Sequence, residues 1–247
     1  MKKIKRVALI TGGARRIGKS IAQHLHNCDI DIMIHHNQSS KDAGKLEAEL
    51  NKIRSNSAAS IKADLLKNDS YYDIIKEVIS VFGQLDFLIN NASTYYPTPI
   101  ESINESSWED LIGTNLKAPL MLSQYAVKYL KKTKGAIINI TDAQIGNPKT
   151  NYIIYTLAKS GLATLTKSLA KDLSPDIRVN AVAPGAILWP ESNHEFDDRY
   201  REKVISQTLL KKTGSPEDIS KAVEFLLLHA PYITGQTICI DGGRQYS

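Results

Sequence analysis

Short apolar segments alternate with longer amphipathic segments along almost the whole chain. The short segments have the length and β-branched composition of buried strands, and the longer ones carry apolar residues at helical spacing. Because apolar strands joined by helices are typical of parallel sheets, the pattern predicts an α/β fold in which about seven strands form one doubly wound sheet with helices on both faces. The predicted strands are Val7–Thr11, Ile30–His35, Ala58–Ala63, Leu85–Asn90, Ala136–Thr141, Arg178–Val182 and Thr237–Ile240.

The alternation of strand and helix segments continues almost to the end of the chain and is interrupted at one place. Ser215 followed by Pro216 and Asp218 is typical of a capped helix start. The interruption runs from Ala183 to about Glu195 and precedes a short polar helix, so we predict one domain over residues 1–247 with a substrate lid at about 186–212. The predicted helices are Ile17–Asn27, Lys41–Arg54, Tyr71–Phe82, Trp108–Lys131, Tyr152–Leu173 and Pro216–His229.

Composition and charge narrow the class of protein. The chain is 42% hydrophobic and 23% charged, which argues against a disordered or fibrous protein. Subtracting 26 acidic from 31 basic residues gives a net charge of +5, and the lysine clusters lack interleaved aromatic residues, so nucleic acid is not an expected partner. Cys28 and Cys239 form no C-x-x-C pair, and no segment approaches the length of a membrane span. We therefore expect a cytoplasmic protein without a disulfide framework, metal site or membrane segment.

A glycine-rich turn between Thr11 and Gly18 joins the first predicted strand to the first helix. Glycines let the backbone approach a pyrophosphate, and the free N–H groups of the helix start attract its charge. The end of the second strand decides between cofactors, since an acid there would bind the ribose 2′-hydroxyl of NAD. The sequence has no acid between His35 and Ser40, while Arg15 and Arg16 lie in the neighbouring turn. Cations beside hydroxyl and imidazole donors predict binding of a 2′-phosphate, and therefore NADPH.

A second group of residues predicts proton transfer. Tyr155 and Lys159 are four residues apart on a predicted helix, so their side chains share one face. We expect the ammonium group to lower the phenol pKa from about 10, which would make Tyr155 a proton donor near neutral pH. Asp142 follows the fifth strand, at the sheet edge where open α/β folds hold ligands, and Asn115 lies on the preceding helix.

Together these elements resemble the short-chain dehydrogenase/reductase family over the whole chain, which implies a Rossmann-type fold. In that family the residue matching Tyr155 exchanges a proton with the substrate. The residue matching Lys159 binds the nicotinamide ribose, and the one matching Asn115 anchors a proton-relay water. The resemblance also implies a homotetramer. The residues implied to contact the cofactor are Thr11, Gly12, Arg15, Arg16, Ile17, Gly18, His35, Ser39, Asp64, Leu65, Asn91, Ala92, Ser93, Tyr155, Lys159, Pro184 and Gly185.

Four departures from the usual family pattern point to one branch. Asp142 stands where the family usually has serine, Arg16 and Ser93 replace glycines, and Tyr95 lies in an aromatic segment over residues 94–99. These features resemble the pteridine reductases, which implies NADPH-dependent reduction of a dihydropterin (dihydrobiopterin, dihydromonapterin or dihydrofolate type) to its tetrahydro form, with Tyr95 stacked on the pterin ring. The implied substrate contacts are Arg16, Ser93, Tyr95, Asp142, Tyr155 and Trp189.

Other functions remain open at this stage. Tyr152 precedes Lys159 by seven residues, the spacing of enoyl-thioester reductases in the same superfamily, and we expect Tyr152, Tyr155 and Lys159 to share one helical face. A 3-ketoacyl reductase is a further alternative, as is a regulator that binds NADP(H) without catalysis. Asp142, Ser93 and Tyr95 together favour the pterin hypothesis.

Overall fold

All seven apolar segments are strands of one parallel sheet, in the order β3-β2-β1-β4-β5-β6-β7. The computed structural model describes residues 5–188 and 197–246. The predicted doubly wound α/β fold is therefore confirmed. The strands are β1 Arg6–Ile10, β2 Ile30–His36, β3 Ala58–Lys62, β4 Phe87–Asn90, β5 Ala136–Ile140, β6 Arg178–Pro184 and β7 Thr237–Ile240.

Helices cover both faces of the sheet because alternate strand residues point to opposite sides. Ala8 and Ile10 of β1 belong to one buried cluster, whereas Val7 and Leu9 belong to the other. The first cluster contains residues of α1, α2 and α8, and the second contains residues of α3, α5 and α6. The helices are α1 Arg16–Asn27, α2 Ser40–Ile53, α3 Ser70–Phe82, α4 Glu105–Ile112, α5 Ala118–Thr133, α6 Ile153–Leu173, α7 Asp198–Ser206 and α8 Pro216–Glu224.

Two long predicted helices are interrupted by π-helical turns. The segment expected as Trp108–Lys131 begins at Glu105, where Asn104 forms a capping box, and divides into α4 and α5 around the π-helical turn Gly113–Lys117. The helix expected to reach His229 ends as α8 at Glu224, and a second π-helical turn, Phe225–His229, follows. Apolar spacing did not reveal these turns, because one inserted residue hardly alters the pattern over so long a segment.

The sheet order reverses between β1 and β4, so the loops leaving these strands diverge and open a crevice at their carboxyl ends. A buried hydrogen-bond chain fixes α6 above this edge. Asn90 donates to Asn139 at 2.8 Å, Asn139 donates to Thr166 at 2.9 Å, and Thr166 donates to the Leu162 carbonyl at 2.9 Å. The chain thus joins β4 and β5 to the helix that carries Tyr155 and Lys159.

The segment predicted as a lid is described in part. The polar helix expected there is α7, and Tyr200 and Val204 on it face the crevice. Trp189 lies outside the described residues, so its assignment to the substrate site stays a prediction.

Cys28 and Cys239 are free thiols. Among the helices of the described residues, none is long and apolar enough to cross a bilayer.

Candidate active site

A cleft of about 570 Å³ opens at the carboxyl edge of the sheet, between the turn after β1 and the segment after β6. It brings together most residues to which the sequence assigns chemistry. The predicted site residues lining it are Arg15, Arg16, Ile17, Asn91, Ser93, Tyr95, Asp142, Tyr155, Lys159, Pro184 and Gly185. The predicted site residues that lie behind or beside its described lining are Thr11, Gly12, Gly18, His35, Ser39, Asp64, Leu65, Ala92 and Asn115.

The glycine turn has the close packing that a bound pyrophosphate requires. Gly12 has a φ of +60°, and a Cβ atom on Gly18 would lie 2.2 Å from the Gly12 carbonyl oxygen. The Thr11 hydroxyl accepts hydrogen bonds from the N–H groups of Asn91 and Ala92, at 2.9 and 3.0 Å. The Asn91 side chain donates to the Thr11 and Gly12 carbonyls. Thr11 and Asn91 therefore shape the turn, and its backbone fits the diphosphate of a dinucleotide.

His35 occupies a different place from the predicted one. Its Nδ1 accepts the Gly12 N–H at 3.3 Å, so the ring proton lies on Nε2, which donates to the Ala63 carbonyl at 3.2 Å. Burial lowers the pKa of His35 to about 4. The expectation that this imidazole donates to a 2′-phosphate is wrong, because both ring nitrogens are already bonded within the protein. His35 instead supports the glycine turn from below.

Arg15, Arg16 and Ser39, three further residues predicted at the adenosine end, lie near the protein surface. Arg15 and Arg16 are exposed, and Arg16 has a φ of +53° and donates to the Leu188 carbonyl at 3.3 Å. Arg15 lies 3.7 Å from the Asp42 carboxylate. Ser39 is the N-cap residue of α2 and makes no capping hydrogen bond with its side chain. This geometry suits recognition of a small anion by side chains at the mouth of a cleft.

The other two adenosine-end predictions follow β3. Asp64 is half-buried, and its carboxylate accepts a hydrogen bond from the Leu66 N–H at 3.1 Å. Leu65 is buried, and its carbonyl accepts a hydrogen bond from the Tyr71 hydroxyl at 2.6 Å. Asp64 and Leu65 thus form an ordered turn at the same sheet edge as the glycine turn.

Three elements meet at the chemical end of the cleft. The Tyr155 hydroxyl of α6 donates to Asp142 Oδ2 at 2.8 Å, and Asp142 Oδ1 accepts the Gln144 N–H at 2.7 Å. Lys159 is buried one helical turn further along α6, and its ammonium donates to the Ile140 carbonyl of β5 at 2.9 Å. Tyr155 and Asp142 are thereby held in one proton-sharing pair.

Electrostatics at this pair differ from the sequence-based expectation. Burial and the neighbouring Asp142 charge hold the pKa of Tyr155 well above 10, so the predicted lowering is wrong. Burial of the phenol is the main cause, and the Asp142 carboxylate that bonds the hydroxyl adds to it, whereas the Lys159 Nζ lies 5.8 Å from the ring centroid. Burial also raises the pKa of Asp142 and lowers that of Lys159 to about 8. Tyr155 is therefore a protonated donor at neutral pH.

The loop after β4 carries the aromatic surface of the site. The Tyr95 ring stacks on Tyr152 with centroids 4.6 Å apart, and meets Tyr155 edge-on at 4.8 Å. Fully buried Asn115 holds this loop: its Oδ1 accepts the Ser93 hydroxyl at 2.6 Å, and its Nδ2 donates to the Thr94 carbonyl at 3.0 Å. Asn115 thus acts through the position of Ser93 and Tyr95.

Tyr152 and Tyr155 are clearly distinguished by the structure. Tyr152 is the N-cap residue that precedes α6, and its ring and the ring of Tyr155 both contact Tyr95. It is only 2% exposed, and the Lys149 ammonium lies 4.5 Å from its ring centroid. Tyr155 lines both the main cleft and a small cavity behind Tyr95, whereas Tyr152 lines the small cavity and not the cleft.

Arg244 is a cleft residue that the sequence reasoning missed. Its Nη2 donates to Gln207 at 3.1 Å, and with the Gln144 amide turned to accept, it also donates there at 3.0 Å. Its charge opposes the burial that raises the pKa of Asp142. The positive φ angles of Gly242 and Gly243 turn the chain back toward the cleft just before Arg244. These two glycines were the feature of the sequence from which the approach of Arg244 to the cleft could have been predicted.

Comparison with known proteins gives similarity along nearly the whole chain. The profile of a family described as enoyl-(acyl carrier protein) reductase matches residues 12–245. The 3-oxoacyl-acyl-carrier-protein reductase of Staphylococcus epidermidis is 38% identical over 242 residues, covering 96% of this chain and 97% of the relative. That of Staphylococcus aureus is 37% identical over 247 residues, covering 98% of each. Pteridine reductase 1 of Leishmania tarentolae is 35% identical over 279 residues, covering 96% of this chain and 95% of the relative.

Proposed function

The chain belongs to the short-chain dehydrogenase/reductase family of oxidoreductases, and from this premise we propose that it reduces a dihydropterin to the tetrahydro form with NADPH. The observation that carries the proposal is the hydrogen bond between Tyr155 and Asp142. A ketone oxygen needs one donor, for which a serine beside the tyrosine suffices. A dihydropterin ring nitrogen instead takes up a proton as hydride reaches the adjacent carbon, and a carboxylate paired with the phenol suits this task.

Different residues of the cleft have separate roles in the proposed reaction. NADPH supplies the hydride when bound. The glycine turn of Gly12 and Gly18 would hold the diphosphate, and Lys159 and the Pro184-Gly185 segment would hold the nicotinamide half. In the resting site the Tyr155 hydroxyl donates to Asp142. As hydride reaches the adjacent carbon, that hydroxyl proton would pass to the substrate nitrogen, and the Asp142 carboxyl group, whose pKa burial raises, would pass a proton taken up from solvent to the tyrosine oxygen.

Substrate orientation depends on Tyr95 in this proposal. Its ring is 41% exposed and lines the cleft beside Tyr155. A flat heteroaromatic ring stacks on such a surface with offset geometry, worth about 0.5–1.5 kcal/mol beyond burial. Asn115 and Ser93 fix the loop that presents Tyr95. Arg16 at the cleft mouth, and Trp189 as a predicted lid residue, complete the proposed substrate contacts.

The preference for NADPH is part of the same proposal. Arg15, Arg16 and Ser39 lie at the adenosine end, and no acid follows β2 to bind a 2′-hydroxyl. Two guanidinium groups with a hydroxyl match a 2′-phosphate in charge and in hydrogen-bonding capacity. Asp64 and Leu65 are proposed to meet the adenine.

A 3-oxoacyl-thioester reductase is the second candidate function. Relatives carrying that name are 38% and 37% identical to this chain, slightly more than the pteridine reductase. The substrate carbonyl would then lie against Tyr155, and Asp142 would stand in place of the serine typical of the family. This candidate leaves the carboxyl group of Asp142 unexplained, because a serine hydroxyl suffices to hold a carbonyl oxygen beside the tyrosine.

One experiment separates these functions. NADPH oxidation is followed through the loss of nicotinamide absorbance. Five compounds are compared at equal concentrations: dihydrobiopterin, dihydromonapterin, dihydrofolate, a 3-oxoacyl thioester and an enoyl thioester. We expect turnover of one or more dihydropterins and inhibition by a diaminopteridine. Turnover of a thioester alone overturns the pterin proposal, and NADPH binding without any turnover indicates a regulator. The same panel with NADH tests the cofactor preference.

The proposal includes a cytoplasmic homotetramer. Large apolar side chains on α4, α5 and α6 are 36–52% exposed, and burial against another copy would remove them from water. Sedimentation of the purified chain tests the assembly, with a tetramer expected. The exposed apolar residues on these helices are Trp108, Leu120, Tyr125, Ile153 and Leu157.

A further inference from the structure

A cluster of metal-ligating side chains lies far along the chain from the catalytic residues, where the end of α1 meets the end of α8. His24 and Cys28 are four residues apart, so both side chains project from the same side of the α1 terminus. His24 Nε2 lies 2.8 Å from Glu224 Oε2. The ligand atoms of His24, Cys28 and Glu224 all lie within 4.8 Å of one another. A nitrogen, a sulfur and an oxygen donor therefore already converge on one point.

A fourth donor stands beside them. His229 Nε2 lies 3.2 Å from Glu224 Oε1, in the π-helical turn that follows α8. Its side chain is 61% exposed, and it would have to approach His24 and Cys28 to join them, because it is not among the ligand atoms that already lie within 4.8 Å of one another. Glu224 is thus placed between two imidazoles, with the Cys28 thiol on the α1 side.

We propose that His24, Cys28 and Glu224, with His229 as the fourth ligand, bind a zinc-like divalent cation. Tetrahedral zinc with bonds of about 2.0–2.3 Å places its ligand atoms about 3.3–3.8 Å apart, so the His24, Cys28 and Glu224 donors need to contract by only about 1 Å at their widest, and His229 must move towards them to complete the set. The donor set is informative about the ion. A thiol and two imidazoles suit zinc and its transition-metal neighbours, whereas magnesium and calcium prefer oxygen ligands throughout.

Hydrogen bonding alone accounts for only part of the cluster. The His24–Glu224 and His229–Glu224 pairs are ordinary imidazole–carboxylate contacts. They do not involve the Cys28 thiol, which is half-buried, packs against the core and has its sulfur within 4.8 Å of the His24 and Glu224 donor atoms. Coordination uses all four side chains, since the thiol gives up its proton to solvent and forms a metal–sulfur bond without any change of oxidation state.

The site would join two helices that already pack together. Ser20 and Ser220 are hydrogen-bonded at 2.8 Å across the same α1–α8 interface, closer to the amino-terminal end of α1. A cation at the other end of α1 would fix this helix at both ends, and α1 begins at the phosphate turn. We therefore assign the cation a stabilising role. The sequence-based expectation of no metal site missed the cluster because His24 and Glu224 are 200 residues apart.

The test uses the tag-free full chain, stripped with a chelator and dialysed against Zn²⁺. We expect one equivalent of zinc per chain by elemental analysis and a rise in Tm of about 5–10 °C at a hundredfold excess over Kd. Co²⁺ in place of zinc should give a thiolate-to-cobalt charge-transfer band in the near ultraviolet. Cys28→Ser should abolish that band and weaken zinc binding at least about tenfold. The matched control is Cys239→Ser, which removes the other thiol and should change neither result.

His24→Gln provides a second arm that keeps the test decisive if Cys28→Ser fails to fold, as judged by circular dichroism. It leaves both thiols in place and should lower zinc affinity at least about tenfold. Substoichiometric zinc, equal binding by wild type and His24→Gln, or a cobalt band that survives in Cys28→Ser and is lost in Cys239→Ser would each overturn the proposal. None of these readouts depends on the proposed substrate, so failure here leaves the proposed function standing.

Discussion

The two ends of the cleft are built in opposite ways. At the chemical end, formed by Asp142, Tyr155 and Lys159, each polar side chain is bonded to a neighbour at 2.7–2.9 Å. At the nucleotide end, formed by Arg15, Arg16 and Ser39, the arginines are exposed, with Arg16 donating to the Leu188 carbonyl at 3.3 Å and Arg15 lying 3.7 Å from the Asp42 carboxylate. Buried hydrogen bonds at the chemical end fix the positions of the protons. Exposed arginines at the nucleotide end place positive charge at the mouth of the cleft.

This difference predicts where mutations will act in the kinetics. Burial shifts the pKa values of Asp142, Tyr155 and Lys159 away from their usual ranges, so deletion of one atom there changes proton transfer itself and appears in kcat. Exposed charges are screened by water and salt, so each arginine contributes less and acts mainly on cofactor binding, which appears in KM.

The sharpest test of the chemical end is removal of the Tyr155 hydroxyl. Tyr155→Phe keeps the ring that contacts Tyr95 but eliminates the proton donor, and we expect kcat to fall about 10³–10⁴-fold with little change in the KM for NADPH. Steady-state NADPH oxidation with the preferred substrate measures both constants.

Tyr152→Phe is the matched control for that measurement. It removes a hydroxyl that lies 3.4 Å from Lys149, outside the main cleft, and retains the stack on Tyr95. We expect kcat to stay close to wild type. A large loss in Tyr152→Phe with an active Tyr155→Phe would exchange the two roles and favour an enoyl-thioester reductase.

Replacing Asp142 by serine tests which chemistry the pair serves. Asp142→Ser should lower dihydropterin turnover about 100-fold, because the phenol loses the partner that shares its proton, and should leave reduction of a 3-oxoacyl thioester unchanged or faster. The measurement is the ratio of kcat/KM for the two substrates in each protein. A dihydropterin rate that survives in Asp142→Ser would contradict the assigned role of the carboxylate.

The sequence predicted the chemical end better than the nucleotide end, for a physical reason. The roles of Tyr155 and Lys159 depend on spacing within one helix, and that of Asp142 on the end of one strand, so local pattern suffices to place them together. The use of both His35 nitrogens depends on Gly12 and Ala63, which reach it from other elements. Such contacts arise only when the chain folds, and residue type did not reveal them.

The same limit applies elsewhere in the site. Tyr152 is buried and contacts Tyr95 and Lys149, which lie outside α6 and were not evident from helical spacing. Arg244 reaches the cleft because two glycines reverse the chain ahead of it. The strands, by contrast, were predictable because their residues are apolar and β-branched, and β1, β2, β4, β5 and β6 are buried along most of their length.

The pH profile of the reaction tests the chemical end through Lys159, whose pKa is about 8 because its ammonium is buried. The charged form predominates below that pH and is lost above it, so kcat/KM for NADPH should fall about tenfold per pH unit above about 8. The Asp142 charge raises the pKa of Lys159, so Asp142→Asn should move this limb to lower pH. A limb that stays in place in Asp142→Asn would show that the two groups are not coupled.

The smallest expected effect concerns Arg16 at the nucleotide end. Its φ of +53° is unfavourable by about 1 kcal/mol for a residue with a Cβ atom, and glycine would relieve that strain while making the unfolded chain more flexible. These contributions nearly cancel, so Arg16→Gly should leave the free energy of unfolding almost unchanged. It should raise the KM for NADPH about tenfold, as expected for loss of one charge-assisted contact, and leave kcat and the KM for NADH near wild type. Urea unfolding and kinetics with both cofactors measure these quantities.

An equal rise in KM for NADPH and NADH would place Arg16 away from the 2′-phosphate. A fall in kcat instead would mean that the two ends of the cleft are not separate in function.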